Sequence, residues 1–147
     1  MLSKSCIYAL RSIIFIAHNS TEISKLGIKE VAKELDLPPP YLGKILQQLT
    51  KNDIIQSVKG PNGGFYLNKK SQQTSLIKII EVMDGLDMFN KCGLGLSECS
   101  EEHPCPLHDD FKIYRDGLSN LFKSKTIMDL VSKIEDGNAF IKNLSSE

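Results

Sequence analysis

Three consecutive prolines, Pro38 to Pro40, constrain the fold of this chain more than any other feature, because they break one helix and start the next. Proline lacks a backbone N–H and disfavours helix in the residue before it. Apolar residues recur with helical spacing over residues 28–35, and a second helix is predicted from about Pro40 to Asn52. Two short helices on either side of a tight turn form a helix-turn-helix.

The second of these helices has an amphipathic pattern that suits contact with DNA. Its apolar positions lie on one face, and basic and amide side chains lie on the other. Gln can hydrogen-bond the edge of adenine, and Lys can reach guanine or phosphate. An ordinary helical hairpin with solvated Lys and Gln accounts equally well for these residues taken alone. The side chains predicted to face a duplex are Tyr41, Lys44, Gln47, Gln48 and Lys51.

A β-hairpin is predicted directly after the second helix. Two short apolar runs, at 54–58 and 65–67, flank a loop that contains Asn62-Gly63, a pair that favours a tight turn because both residues tolerate positive φ. A hairpin in this position is the wing of a winged helix, and its glycine backbone can approach phosphates or a narrow minor groove. The loop lacks the known nucleotide-binding glycine patterns. Contacts to DNA are predicted at Lys59, Gly60, Pro61 and Gly63.

The formal net charge of zero is unevenly distributed along the chain. Residues 1–70 carry 10 Lys and Arg against 5 Asp and Glu, whereas residues 71–147 carry 8 against 13. A basic segment suits a polyanion such as DNA, although a solvated basic face has the same composition. We therefore expect residues 1–70 to form a DNA-binding winged helix-turn-helix, and residues 71–147 to have a different function.

The first apolar run, Ile7 to Ala17, predicts an amphipathic helix and not a membrane span. It has about 11 residues, whereas a span needs roughly 20. Arg11 lies inside the run, and no small-residue cleavage site follows it, which disfavours a signal peptide. We expect a cytoplasmic protein that does not bind membranes.

Residues 86–104 show no regular period, and a loop of this length inside a compact domain is expected to have a function or an external constraint. Cys92, Cys99, Cys105 and His108 follow one another with the spacing C-x6-C-x5-C-x2-H. Three thiolates and an imidazole are four ligands for one soft or borderline metal centre. The sequence therefore predicts a metal-binding loop over about residues 86–108.

Other roles for the cysteines fit the sequence less well. Nothing points to secretion, and three clustered cysteines leave one over, which disfavours a disulfide framework. The C-x-x-C motif of a dithiol oxidoreductase does not occur. Structural zinc stays open as an alternative, although zinc modules usually place their cysteines in closer pairs. His103 competes with His108 as the fourth ligand, and Cys6 is expected to be a small buried side chain.

A long helix is predicted from about Leu107 onward. Four apolar residues with 3-4-3 spacing form a stripe of about two heptads along it. The stripe packs either on its own domain or on a second copy of the chain, and its place beyond a DNA-binding module favours a homodimer. A further helix is predicted near Thr126, with Asp129 as its capping partner, and residues 142–147 are expected to fray. The predicted dimer residues are Phe111, Tyr114, Leu118 and Leu121.

The predicted fold is thus mostly α with a small β-hairpin wing, a winged helix-turn-helix followed by a long C-terminal dimerisation helix. Five motifs occur in order along nearly the whole chain: Tyr41-Leu42, Lys51-Asn52, Lys59 to Leu67, Glu81 to Gly85, and the three spaced cysteines. In these motifs the chain resembles the bacterial winged-helix iron–sulfur transcriptional regulators of the IscR/NsrR family. The wing and the cysteine spacing together make the resemblance specific.

The resemblance implies a homodimeric transcription factor, not an enzyme, that binds a double-stranded DNA operator. Cys92, Cys99 and Cys105 match the cluster cysteines of the family, and His108 matches the histidine ligand of its [2Fe–2S] members. Members with a [4Fe–4S] cluster can take a carboxylate from the first helix, where this chain has Ile7. That difference favours a [2Fe–2S] cluster. The alternatives are a regulator of the same family with zinc or no metal, which answers another signal, and a small iron–sulfur redox protein.

The chain departs from the family pattern at two DNA-facing positions. Lys59 stands where the wing usually begins with Arg, so the positive charge is kept but the planar fork is lost. Gly43 stands where a base-discriminating Glu is found in IscR-type members. The operator preference of those members therefore does not transfer to this chain.

Overall fold

The computed structural model describes residues 1–141, and the fraying predicted for 142–147 lies outside them. The first helix, α1 (Lys4–Asn19), begins where the Ser3 side chain accepts a hydrogen bond from the backbone N–H of Cys6. A row of fully buried side chains runs along this helix, and four other helices pack against it. The apolar run predicted from the sequence therefore becomes the centre of the core.

The predicted helix-turn-helix is present. Helix α2 (Ile28–Leu35) ends at Asp36, whose left-handed backbone (φ 55°) lets the N–H of the next residue, Leu37, return to the carbonyl of Ala32 at 2.9 Å. Helix α3 (Pro39–Lys51) begins one residue earlier than predicted, because proline is tolerated at both of the first two positions of the helix. Its buried face consists of Leu42, Ile45, Leu46 and Leu49.

The predicted wing is an antiparallel hairpin of β1 (Gln56–Val58) and β2 (Gly64–Tyr66), in which Ser57 pairs with Phe65. The backbone of Leu26 exchanges two hydrogen bonds with Phe65, at N–O distances of 3.0 and 2.7 Å. Through this one residue, the segment before α2 pairs with strand β2 of the hairpin. A bridge of one residue produces no alternating apolar pattern, so the sequence did not predict it.

The turn of the wing differs from the sequence prediction. Positive φ occurs at Gly60 (105°) and Gly64 (141°), and not at Asn62 or Gly63. The Gly63 N–H donates to the Gly60 carbonyl at 2.9 Å, which closes a four-residue turn with Pro61 at its second position. Proline fixes φ near −65° there, and the mirror-image turn expected from Asn-Gly needs a positive value.

The remaining elements are helical. One helical turn that the sequence patterns did not predict forms after the wing, and its N-terminus is capped by the Asn68 side chain. The predicted capping box is confirmed: the Thr126 side chain accepts from the Asp129 N–H, and the Asp129 carboxylate accepts from the Thr126 N–H. The helices are α4 (Lys69–Gln72), α5 (Leu76–Asp84), α6 (His108–Ser124) and α7 (Ile127–Glu135).

One core joins the two segments of the chain. Helix α7 packs against α1, and α5 packs against both α1 and α6. Cys6 is fully buried beside Ile80 and Phe89, and this burial raises the pKa of its thiol to about 12, as expected for an inert packing residue. Within residues 1–141, no helix is both long and apolar enough to cross a membrane.

Candidate metal centre and nucleic-acid interface

The loop between α5 and α6 is attached to the core by two close contacts. Phe89 lies in a turn of 3-10 helix (Asp87–Phe89), is buried, and meets the edge of the Phe122 ring at 6.1 Å between centroids. At Gly93, an added Cβ would lie 2.8 Å from the ring of Phe111. The absence of a side chain at Gly93 therefore lets the loop lie directly on the first turn of α6.

The loop brings the three predicted cysteines together. Their sulfur atoms all lie within 4.8 Å of one another, and those of Cys92 and Cys105 are 3.5 Å apart. Backbone N–H groups point at two sulfurs, from Leu94 to Cys92 at 3.3 Å and from Cys105 to Cys99 at 3.4 Å. The loop therefore holds three sulfur donors close to one another.

The imidazole that the structure places against a thiol is that of His108. This residue opens α6, its side chain is 7% exposed, and its Nδ1 lies 3.2 Å from the Sγ of Cys99. Its backbone N–H donates to the carbonyl of Cys105. His103 is exposed in the loop, where its backbone N–H donates to Ser100. Of the two histidines considered from the sequence, His108 is the one whose ring lies against a thiol.

The local electrostatics favour a thiolate at Cys92. The backbone N–H of Leu96 lowers the pKa of the Cys92 thiol to about 7 against the opposing effect of burial, and the N–H of Leu94 lowers it further. Metal ions and clusters bind thiolates and not thiols. The backbone N–H groups around Cys92 therefore favour the thiolate form that a metal ion or cluster binds.

Two charged residues close to the His108 imidazole were not found by sequence reasoning. The Lys112 ammonium forms an ion pair with Glu101, and this pair lowers the pKa of Glu101 and raises that of Lys112. The same Glu101 oxygen lies 3.8 Å from the Nε2 of His108. Lys112 follows His108 by one helical turn, and that i,i+4 spacing was the available signal.

The residues present fit a metal ion or an iron–sulfur cluster. Three thiols and one imidazole are the donors that zinc and iron–sulfur centres prefer. The Nε2 of His108 is buried and lacks a hydrogen-bond partner among the described residues. The Nδ1 of the same ring, 3.2 Å from the Sγ of Cys99, is the nitrogen placed to join the thiols as a donor. The site therefore has the chemistry of a metal centre.

The outer face of α3 and the tip of the wing carry most of the predicted DNA contacts. The side chains of Lys44, Gln47 and Lys51 are exposed on α3, and Lys59, Gly60 and Pro61 are exposed on the wing. Gly63 is half-buried, and an added Cβ there would lie 2.1 Å from the carbonyl oxygen of Val58. The absence of a side chain at Gly63 lets the turn close and so positions the wing tip.

Two predicted DNA-facing residues make contacts inside the chain. The hydroxyl of Tyr41 is 2.6 Å from that of Ser5, and its ring meets the Tyr8 ring edge to face. The side-chain amide of Gln48 donates to the carbonyl of Val82 on α5 at 3.0 Å. Both side chains therefore connect α3 to its neighbours, while Gln47 extends into solvent.

The predicted dimer stripe divides into two environments. Phe111 is half-buried beside Gly93, and Leu118 packs on the buried cluster around Cys6. Tyr114 is 78% exposed and Leu121 is 48% exposed. The stripe thus faces its own chain at two positions and leaves the other two uncovered.

A family model described as "Rrf2: Iron-dependent Transcriptional regulator" matches residues 2–133. The chain belongs to the Rrf2 family. A "Putative HTH-type transcriptional regulator" of Aquifex aeolicus (strain VF5) is 32% identical over 142 residues, which cover 95% of this chain and 96% of that protein. The HTH-type transcriptional regulator IscR of Cronobacter sakazakii is 26% identical over 128 residues, which cover 87% and 78%. These relatives are transcriptional regulators and not enzymes.

Two solved structures show the same winged-helix fold. The global cysteine regulator CymR of B. subtilis superposes with a TM-score of 0.72 at 23% identity, over 90% of this chain and 96% of that chain. IscR of T. potens superposes with a TM-score of 0.71 at 19% identity, over 95% and 92%. The predicted fold class, helical with a hairpin wing, is therefore confirmed.

Proposed function

We propose that this protein is a DNA-binding transcriptional regulator whose operator affinity is controlled by an iron–sulfur cluster. Cys92, Cys99, Cys105 and His108 would hold the cluster. The observation that carries this proposal is that three thiols lie within 4.8 Å of one another, and that the buried imidazole of His108, at the start of α6, contacts one of them. A loop with these donors, next to a winged helix, joins a redox-sensitive or iron-sensitive ligand to a DNA-binding surface.

Iron–sulfur chemistry is favoured over zinc by three observations. The family model is described as iron-dependent, one relative is named IscR, and the cysteines are spaced by six and five residues. We propose a [2Fe–2S] cluster, because the donors in the pocket are three sulfurs and one nitrogen. Ile7, the residue of the first helix considered as a further ligand, is apolar and offers no donor atom.

The proposed DNA surface combines α3 and the wing. Lys44, Gln47 and Lys51 would enter or border the major groove, and Lys59 with its neighbouring glycine backbone would reach phosphates or the minor groove. We propose that the protein binds as a homodimer through α6, where Tyr114 and Leu121 are exposed. Two copies would then contact half-sites separated by about 34 Å, one helical turn, or a multiple of it.

The route from the loop to DNA runs through α5 and α6. The loop begins at the end of α5 and leads directly into α6, and these two helices pack together. Gln48 of α3 donates to Val82 of α5. Gain or loss of the cluster, by altering the loop, would move α6 relative to α5 and change how two winged helices are placed in the dimer.

Anaerobic purification tests the cofactor. We expect coloured protein with iron and acid-labile sulfide, and we expect Cys99→Ala to abolish both. The matched control is Cys6→Ala, which removes a cysteine buried in the core outside the loop and is expected to keep the cluster. Colourless protein with one tightly held zinc per chain would show that the centre is structural zinc.

Duplex binding tests the control of operator affinity. An operator selected from random duplexes is titrated with cluster-loaded protein and with the Cys99→Ala variant, at a stated salt concentration. We expect the two forms to differ in affinity for the operator and to bind unrelated duplexes alike. Equal operator affinities would contradict regulation by the cluster.

A further inference from the structure

The imidazole of His108 has a different neighbour at each nitrogen. Its Nδ1 faces the sulfur of Cys99 at 3.2 Å, and its Nε2 faces a carboxylate oxygen of Glu101 at 3.8 Å. The ring is almost completely buried, and Nε2 has no hydrogen-bond partner among the described residues. Glu101 is thus the charged group within ion-pair distance of the nitrogen that points away from the thiols.

Glu101 is held in this place by Lys112. Lys112 lies on α6 four residues after His108, on the same helical face, and its ammonium forms an ion pair with the Glu101 oxygen that faces Nε2. The Glu101 side chain is otherwise 68% exposed, so the ion pair by itself is expected to add little stability. Its effect is to fix a flexible side chain over the imidazole edge.

We propose that Glu101, held by Lys112, is a positioning residue that keeps the proton of His108 on Nε2 and leaves Nδ1 free to bind metal. In neutral imidazole one nitrogen carries the proton and the other has the lone pair. A carboxylate beside Nε2 favours the proton on that side, and carboxylate partners of this kind fix the orientation of ligating histidines. This inference rests on the proposed function, because it assigns His108 as a ligand.

The first test uses metal-free protein and does not depend on cluster binding. The full chain is labelled with 15N-histidine, and the ring nitrogen signals are measured at a pH where the imidazole is neutral; the His108 signals are assigned by their loss in His108→Asn. We expect the Nε2-protonated form in the wild type. Glu101→Met, of similar length but without a charge or a strong acceptor, is expected to shift the population toward Nδ1–H. The matched control is Glu102→Met, at the adjacent exposed position, which is expected to have no effect.

The second test measures iron release to a chelator from protein reconstituted anaerobically with iron and sulfide. Loss of a group that hydrogen-bonds a metal-ligating side chain typically lowers metal affinity about 10-fold to 100-fold. We expect release about ten times faster in Glu101→Met and in Lys112→Met, with Glu101→Gln between these variants and the wild type because its amide oxygen still accepts a hydrogen bond. Glu102→Met is expected to match the wild type.

The two tests separate the two proposals. Wild-type ring signals and wild-type iron release in Glu101→Met would overturn the role of Glu101 while leaving the cluster in place. Equal effects of Glu102→Met would also overturn it, because they would indicate a general charge effect. A wild-type protein that takes up no iron would overturn the proposed function, and the ring signals of the metal-free protein would still decide the role of Glu101.

Discussion

The contacts of individual side chains distinguish the two histidines that could complete the metal site. His108 and His103 are equally available in the sequence, but only His108 is buried with a ring nitrogen beside a thiol. We expect His108→Ala to leave a more labile cluster with a shifted absorption spectrum, since three thiolates can still hold iron with a substitute ligand. His103→Ala is the matched control and should leave spectrum and stability unchanged. The opposite result would reassign the fourth ligand to His103.

Gln47, Gln48 and Lys59 are expected to contribute to DNA binding in different ways. Both glutamines are exposed, but the side-chain amide of Gln48 also donates to the Val82 carbonyl on α5. Gln47→Ala should therefore change base preference more than Gln48→Ala does, by about 1–3 kcal/mol at the affected base pair. Lys59→Ala should weaken binding on all sequences and reduce the salt slope by about 1. Titrations on the operator and on its single-base variants at several salt concentrations measure both effects. Equal losses of affinity for every protein variant on every sequence would contradict this division between base recognition and phosphate contact.

At the scale of elements, the wing depends on the close approach of its two strands. A Cβ at position 63 would lie 2.1 Å from the Val58 carbonyl oxygen, whereas a Cβ at Gly27 meets no atom within 4 Å. We expect Gly63→Ala to distort the turn and lower operator affinity while helical circular dichroism stays unchanged. Gly27→Ala, just before α2, is the control and should bind DNA nearly as the wild type does. Normal binding by Gly63→Ala would show that the wing tip does not contact DNA.

Helix α7 depends on its capping box. Thr126→Ala should lower the free energy of unfolding by about 1 kcal/mol, because it removes the oxygen that caps the helix N-terminus. Thr126 also lowers the pKa of Asp129 through its N–H. The stabilising effect of Asp129 is therefore present above the ordinary pKa of Asp and is lost as the pH falls through its lowered value. Urea unfolding of Thr126→Ala and of the exposed control Ser132→Ala checks the first effect, which should be absent in the control.

At the scale of the whole molecule, the proposed dimer uses the uncovered half of the α6 stripe. Replacing Tyr114 and Leu121 together by Asp puts like charges into the contact between two copies, and should give a folded monomer with steeply reduced operator affinity. Ser132→Asp on α7 is the control and should stay dimeric. Leu118→Asp is a poorer test, because Leu118 packs within its own chain. A double variant that sediments as a dimer would place the contact elsewhere.

Local sequence patterns were enough to predict most of the helices, the hairpin and the types of donor atom in the loop. Residues 28–35 form a helix with the predicted bounds, because apolar periodicity and the prolines that follow it act over a few residues. The hairpin, the capping box at Thr126 and the family resemblance could also be recognised, because each depends on short stretches of sequence. The resemblance also fixed the cysteines as the candidate ligands, since their spacing is a property of the chain alone.

Which of these residues contact one another depends on how the elements pack. The bridge between Leu26 and Phe65, the contact of Gln48 with α5 and the division of the α6 stripe join positions that are far apart in sequence or set by the packing of whole helices. The same holds for Glu101, which lies in a loop without a period and reaches His108 and Lys112 only after that loop folds back onto α6. Local periodicity carries no information on such contacts, because they depend on where the core places each element.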